Sequence, residues 1–116
     1  MAIKIGIDIG STTVKVVLLD EHNTLLYRSY TRHYSKVREV AAEQLRVVAD
    51  QLRGQSVVPL ITGSAGLGIS KASEVPFVQE VFATAAAVNT YIPDTDAVIE
   101  LGGEDAKIIF FGRTLE

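Results

Sequence analysis

The 116-residue chain has no cysteine, no tryptophan, one methionine, three prolines and two histidines. Without cysteine, these residues cannot supply disulfides, thiolate zinc sites, cysteine nucleophiles or iron–sulfur ligands. The two histidines, His22 and His33, stand at a turn and at a strand end with no partner spaced for metal or triad chemistry, and both are expected at the surface. Blocks of one charge are missing as well. Lys and Arg number 11 against 14 Asp and Glu, a net charge of −3, which argues against a large footprint for nucleic acid or anionic membrane. Apolar stretches at 2–9 and 13–19 are short and broken by Lys4, Asp8 and Lys15, so neither is a signal peptide or a membrane span, and the cytoplasm is the expected location. No low-complexity tract or linker divides the chain. At 47% hydrophobic and 22% charged residues it is one ordinary soluble domain, whose length buries roughly two thirds of its unfolded surface. A function that needs a deep cleft between lobes would have to borrow the rest from elsewhere. Leu115-Glu116 ends the chain abruptly, either as a cloning scar or as a cut in a longer protein.

What is present is periodic. Ile3, Ile5, Ile7 and Ile9 alternate with Lys4, Gly6, Asp8 and Gly10, the pattern of a strand with one buried face. Thr13 to Leu19 is β-branched and apolar, Asp20-Glu21-His22-Asn23 supplies a turn, and Leu25 to Arg32 favours a third strand. Three strands with short connections predict an antiparallel meander. From Ser35 the period changes: Val37, Val40, Ala41, Leu45, Val48 and Leu52 mark an amphipathic helix lying on the sheet, with Ser35 as its cap and Gly54 as its left-handed end. Val57 to Thr62 then reads as a buried strand parallel to the first, in which Pro59 must sit near the start or face a gap. Val78, Val81, Phe82, Ala85, Val88 and Ile92 form a second helical stripe closed by Pro93, and Ala97 to Leu101 with Ala106 to Phe111 a closing hairpin.

The chain repeats itself. Ile7-Asp8-Ile9-Gly10-Ser11-Thr12-Thr13-Val14-Lys15 aligns with Ile99-Glu100-Leu101-Gly102-Gly103-Glu104-Asp105-Ala106-Lys107, matching acid, aliphatic, glycine and final lysine. Two copies in one register point to a duplicated device rather than two ordinary turns. Such a turn suits an anion: Gly10 admits a close approach, successive N–H groups point into the bend, and Ser11, Thr12 and Thr13 add hydroxyls. Asp8 facing polyphosphate is unfavourable unless hydrated Mg²⁺ lies between, so Asp8 is expected to hold metal-bound water. Glu100, Glu104 and Asp105 would either do the same or position an attacking water as general base. Lys15 and Lys107 are either phosphate contacts or solvent-facing strand residues.

The loop Gly63-Ser64-Ala65-Gly66-Leu67-Gly68-Ile69-Ser70 has P-loop glycine spacing, but Ile69 replaces the essential lysine, so that assignment fails. The loop is a flexible strand-to-helix turn or a wall of the same cleft. Tyr27, Tyr30 and Tyr34 are expected to pack at a sheet face or edge. Glu80 is a first-turn helix acid, with a role facing the cleft as the sharper alternative.

The run Gly6 to Lys15, followed by a meander, a helix and the acidic second hairpin, resembles the ATPase superfamily of acetate and sugar kinases, heat-shock chaperones and actin. The resemblance implies an α/β ribonuclease-H-like lobe: a three-stranded antiparallel meander extended by parallel strands, helices packed on the sheet, and a C-terminal β-hairpin. In that superfamily the two hairpins are the phosphate loops of two related lobes that close over ATP. Residues 1–93 would be the first lobe and 94–116 the opening hairpin of the second. Ile61-Thr62-Gly63-Ser64-Ala65-Gly66, Val75-Pro76-Phe77-Val78-Gln79-Glu80 and Glu100 to Lys107 look most like the CoA-substrate-specific enzyme activases, which serve 2-hydroxyacyl-CoA dehydratases and benzoyl-CoA reductases. Shorter activases carry Asp and Gln where this chain has Glu100 and Glu104, which look more like the large fused members.

The resemblance implies Asp8 near Mg²⁺, Gly10, Ser11, Thr12, Thr13 and Lys15 around the phosphates of ATP or ADP, and Gly102, Gly103, Glu104, Asp105 and Lys107 across the cleft. Family activases are homodimers that share a 4Fe–4S cluster and couple ATP hydrolysis to electron transfer into a client enzyme. Their cluster cysteines and adenosine-binding lobe lie beyond where this chain stops, so the chain is expected to lack the cluster and to hydrolyse ATP weakly or not at all. Other readings are a sugar or N-acetylhexosamine kinase lobe, an actin-like or chaperone nucleotide module, and a stand-alone non-catalytic lobe.

Overall fold

The computed structural model describes residues 2–103 and 105–112. Strands β1 (Ala2–Ile9), β2 (Thr13–Leu19) and β3 (Leu25–Arg32) form the expected antiparallel meander, and β4 (Ser56–Thr62) pairs parallel with β1, giving the order β3-β2-β1-β4. The alternation along β1 buries Ile3, Ile5, Ile7 and Ile9, which meet Val14, Val16 and Leu18 of β2 and Ile61 of β4. Helix α1 (Val37–Ala49) covers that face with Ala41 and Val48 fully buried and Val37, Val40 and Leu45 packed around them. Each such aliphatic side chain withdrawn from water contributes about 1.5–3 kcal/mol, which makes this face the main stabilising element.

Ser35 is not the cap of α1. Tyr34 and Ser35 both take left-handed backbone angles (φ 47° and 63°), the helix starts at Val37 after Lys36 without a side-chain cap, and the Ser35 N–H donates to His33 Nδ1 instead. At the other end a 3₁₀ turn (Asp50–Leu52) precedes Gly54, whose φ of +72° reverses the chain as expected. Pro59 stands mid-strand, facing a gap. Two residues on, the Ile61 N–H leaves β4 on the side away from β1 to reach the Pro76 carbonyl, so the missing Pro59 N–H also lies on that open side.

The glycine-rich loop is more ordered than its composition indicates. Residues Leu67–Ser73 form a short helix α2 with Ser70 buried and Ile69 against the core, an element hidden by the flanking Gly66 and Gly68. Helix α3 (Glu80–Tyr91) has no buried residue. Its alanine side lies toward the sheet, and its larger apolar residues do not. Ala83 and Ala87 face Gly6, Val17 and Leu60 across an apolar gap, whereas Val81, Phe82 and Ala85 share a groove with Ile109, Phe110 and Phe111. The helix is thus divided between two bodies, the second being the hairpin of β5 (Ala97–Leu101) and β6 (Ala106–Phe110). Among the described residues no helix is long and apolar enough to cross a membrane.

Candidate functional site

The two repeats fold alike. In the first, the Gly10 N–H donates to the Thr13 carbonyl at 2.9 Å, and Asp8 lies opposite Lys15 in the β1–β2 register. In the second, the Gly102 N–H donates to the Asp105 carbonyl at 2.8 Å, and Glu100 lies opposite Lys107 in the β5–β6 register. The glycine after each acidic strand closes the same turn, so the sequence repeat is a structural one.

The side chains diverge. Lys15 Nζ lies 3.3 Å from Asp8 Oδ2 and 5.5 Å from the centre of the Tyr30 ring, while Asp8 Oδ1 is buried without a hydrogen-bond partner. Gly63 is pressed against this carboxylate. Its φ is +101°, and a Cβ there would come 2.2 Å from the Ile9 carbonyl oxygen and 2.6 Å from Asp8 Oδ1, so only glycine fits. The Ala65 N–H donates to the Ile9 carbonyl, which makes the β4–α2 loop a wall beside β1, with Ser64 on the cleft. In the second repeat Lys107 turns from Glu100 and pairs with Glu80 at the start of α3, while Glu100 accepts a hydrogen bond from Thr84 Oγ1 at 2.9 Å. The hydrogen bond to Glu80 raises the Lys107 ammonium above its ordinary pKa, helped by the charges of Glu80, Asp105 and Glu100 and opposed by burial.

The two turns meet: a Cβ on Gly103 would lie 2.5 Å from Thr12 Oγ1. Between them is a cleft of about 340 Å³, lined by Asp8, Gly10, Ser11, Thr12, Thr13 and Lys15 from one hairpin and Glu100, Gly102, Gly103, Asp105 and Lys107 from the other. Glu104 lies outside the described residues, as does Leu115-Glu116. Thr84 and Leu101, which no motif singles out, also line the cleft, and Glu80 at the start of α3 faces it too. The spacing of Glu80 and Thr84, one helical turn apart, was the available signal. His33 is a correction. It is 4% exposed rather than at the surface, its ring nitrogen Nε2 is 2.9 Å from the Gly10 carbonyl, and its backbone N–H donates to the Thr12 carbonyl.

The described cleft lining carries four carboxylates, Asp8, Glu80, Glu100 and Asp105, against two ammonium groups, Lys15 and Lys107. A bare polyphosphate would meet net repulsion there, whereas a cation-bound one would not. Among the described residues no group of three or more His, Asp or Glu is placed to hold a metal directly. Asp8 is half-buried with Oδ1 enclosed beside Gly63, so Oδ2, on the accessible side with Lys15, is the carboxylate oxygen that fits the water of a hydrated divalent ion. Iron–sulfur ligation does not fit, because the chain has no cysteine.

No protein-family model matches the chain. It is 27% identical over 105 residues to an uncharacterized protein of Methanocaldococcus jannaschii, a match covering 90% of this chain and 42% of that one. Among solved structures it is similar to component A of the (R)-2-hydroxyglutaryl-CoA dehydratase of Acidaminococcus fermentans (TM-score 0.80, 20% identity, 97% of this chain and 44% of that one). The activator of the 2-hydroxyisocaproyl-CoA dehydratase from Clostridium difficile, solved with bound ADPNP, gives a TM-score of 0.75 at 26% identity over 95% of this chain and 41% of that one. A Ppx/GppA protein of Aquifex aeolicus gives 0.60 at 14% identity over 95% and 47%. The chain therefore spans less than half the length of each of these proteins. With its meander, parallel fourth strand and closing hairpin, it has the fold of the actin-like ATPases.

Proposed function

We propose that this chain is the phosphate-binding part of an activase-type ATPase, one that couples ATP hydrolysis to electron transfer into a 2-hydroxyacyl-CoA dehydratase or benzoyl-CoA reductase type of client. The observation that carries the reading is the pair of matching turns, Gly10–Thr13 and Gly102–Asp105, closing on one cleft with Gly103 against Thr12. Residues 1–93 form the first lobe in this reading and 94–116 open the second, in a cytoplasmic homodimer. Backbone N–H groups and hydroxyls of Ser11, Thr12 and Thr13 bind the phosphates. Lys15 exchanges Asp8 for a phosphate oxygen, and Asp8 orients water on a Mg²⁺ ion that neutralises charge on the phosphates. Glu100 and Asp105 stand across the cleft, where a carboxylate can accept a proton from an attacking water. The iron–sulfur cluster and the adenosine contacts belong to parts of the activase beyond this chain, and hydrolysis by these residues alone is slow or absent.

Calorimetric titration of the chain with ATP, with and without Mg²⁺, tests the reading beside Asp8→Ala. Weak, Mg²⁺-dependent binding that falls at least about tenfold in the variant is expected, a loss of about 1.4 kcal/mol. Binding that ignores Mg²⁺ or survives Asp8→Ala overturns it, as does no binding of Mg·ATP at millimolar concentration.

A further inference from the structure

His33 has all its polar groups engaged, and all of them act at the first turn or the corner behind it. The ring Nδ1 accepts the Ser35 N–H at 3.0 Å, so that nitrogen carries no proton, and Nε2 carries it and donates to the Gly10 carbonyl at 2.9 Å. The backbone N–H donates to the Thr12 carbonyl at 3.0 Å, and the backbone carbonyl accepts from the Lys36 N–H at 2.7 Å. Tyr34 and Ser35, between these bonds, both adopt the left-handed region, which is sterically costly for residues with a Cβ. A chain does not hold two such residues in succession without contacts that stabilise them.

The consequence falls on the turn. In a trans peptide the carbonyl and the following N–H point in opposite directions. Holding the Gly10 carbonyl toward His33 therefore turns the Ser11 N–H away from it, and holding the Thr12 carbonyl does the same to the Thr13 N–H. Ser11 lines the cleft, and among the described residues its N–H group has no acceptor. Unbonded N–H groups fixed in direction are what an anion site requires, and they lose less entropy on binding than a turn free to flip.

We propose that His33 is a positioning residue for the first turn: one imidazole in its Nε2–H form, with its own backbone N–H, fixes the orientation of the Gly10 and Thr12 carbonyls and so aims the loop's N–H groups at the cleft. Its binding consequence rests on the nucleotide reading above, but the positioning itself does not.

The test uses the ¹⁵N-labelled full chain without ligand. Long-range ¹H–¹⁵N correlation is expected to show His33 as the Nε2–H tautomer; the Nδ1–H tautomer or a charged ring at neutral pH overturns the proposal, and this arm needs no variant. His33→Leu fills the volume without the ring's bonds and is expected to speed amide exchange at Ser35, whose N–H loses its acceptor, about tenfold and to move the Ser11 amide shift, while Ile5, Ile7 and Ile61 in the sheet stay protected. His33→Gln retains a donor near the Nε2 position and is expected to restore the Ser11 amide shift. Leucine behaving like histidine, with the Ser11 shift unmoved, means the residue only fills space and overturns the proposal. Mg·ATP titration separates the two readings. If the unmodified chain binds, His33→Leu should weaken it about tenfold and His33→Gln by less than about threefold. If it does not bind, the nucleotide reading fails while the exchange data still decide the role of His33.

Discussion

The β1–β2 and β5–β6 hairpins are two versions of one motif in opposite surroundings. In the first, every inward residue from Ile3 to Ile9 and from Val14 to Leu18 is buried, because β3 and β4 flank the pair and α1 covers it. The second has the same turn hydrogen bond and the same acid-to-lysine register, yet Ile99 is 69% exposed and Phe110 76%, and among the described residues no third strand joins it. The turn is encoded locally and forms in both, while stability comes from the sheet around it. What holds the second hairpin in place is polar and sits at its cleft end: Lys107 to Glu80, Glu100 to Thr84, and Gly103 on Thr12.

That contrast can be broken most forcefully in the core. Ile9→Ala should cost about 3–4 kcal/mol in urea unfolding, within the range for a fully buried aliphatic residue. The counterpart in the second hairpin, Leu101→Ala, should cost under about 1 kcal/mol because that side chain is already mostly in water. Equal losses would mean that the second hairpin is covered in solution.

The glycines sharpen the comparison further. Gly63→Ala places a Cβ onto backbone at an unfavourable φ and should destabilise by about 2–3 kcal/mol. Gly103→Ala meets the Thr12 side chain (Oγ1 at 2.5 Å, Cγ2 at 3.0 Å, Cβ at 3.3 Å) rather than backbone, so unfolding should change by less than about 1 kcal/mol. It should nevertheless push the turns apart and weaken Mg·ATP binding several-fold. A Gly103→Ala protein that binds normally would show that the contact between the turns is incidental.

A similarly small effect is expected at the Glu80–Lys107 tie, about 1 kcal/mol at neutral pH for Glu80→Gln. The Lys107 pKa is raised in the folded state. The stability it confers is therefore fully present below the ordinary lysine value near 10.5 and is lost as pH rises through the higher folded value. Urea midpoints of the unmodified chain should fall through the alkaline range and converge on those of Glu80→Gln, which lacks the tie from the start; coincident curves at neutral pH would show that the tie carries no weight.

Much of this was legible before any coordinates. The isoleucine alternation, the turn residues 20–23 and the helical period from Val37 specify the meander and α1, because in each the local preference and the burial pattern agree. The acid–glycine–lysine repeat likewise identified the lining on both sides of the cleft, since close-approach glycines and strand-end carboxylates have few other uses side by side. Helix α2 was hidden because seven residues flanked by glycines give too little period to read. The stripe on α3 was readable but its partner was not, since apolar spacing says that a face is covered and never by what.

The sequence by itself therefore determined the strands, the two longer helices, the duplicated turns and most of the residues that line the cleft. Only the tertiary structure decided which lysine pairs with which acid, that Gly63 backs Asp8, and that His33 lies under the first turn rather than in solvent. Pairings within a strand or helix follow from the repeat of the backbone. These others join residues from different elements, whose separation is set by how the sheet, α1 and the corner at Tyr34-Ser35 pack, and no local period records that distance.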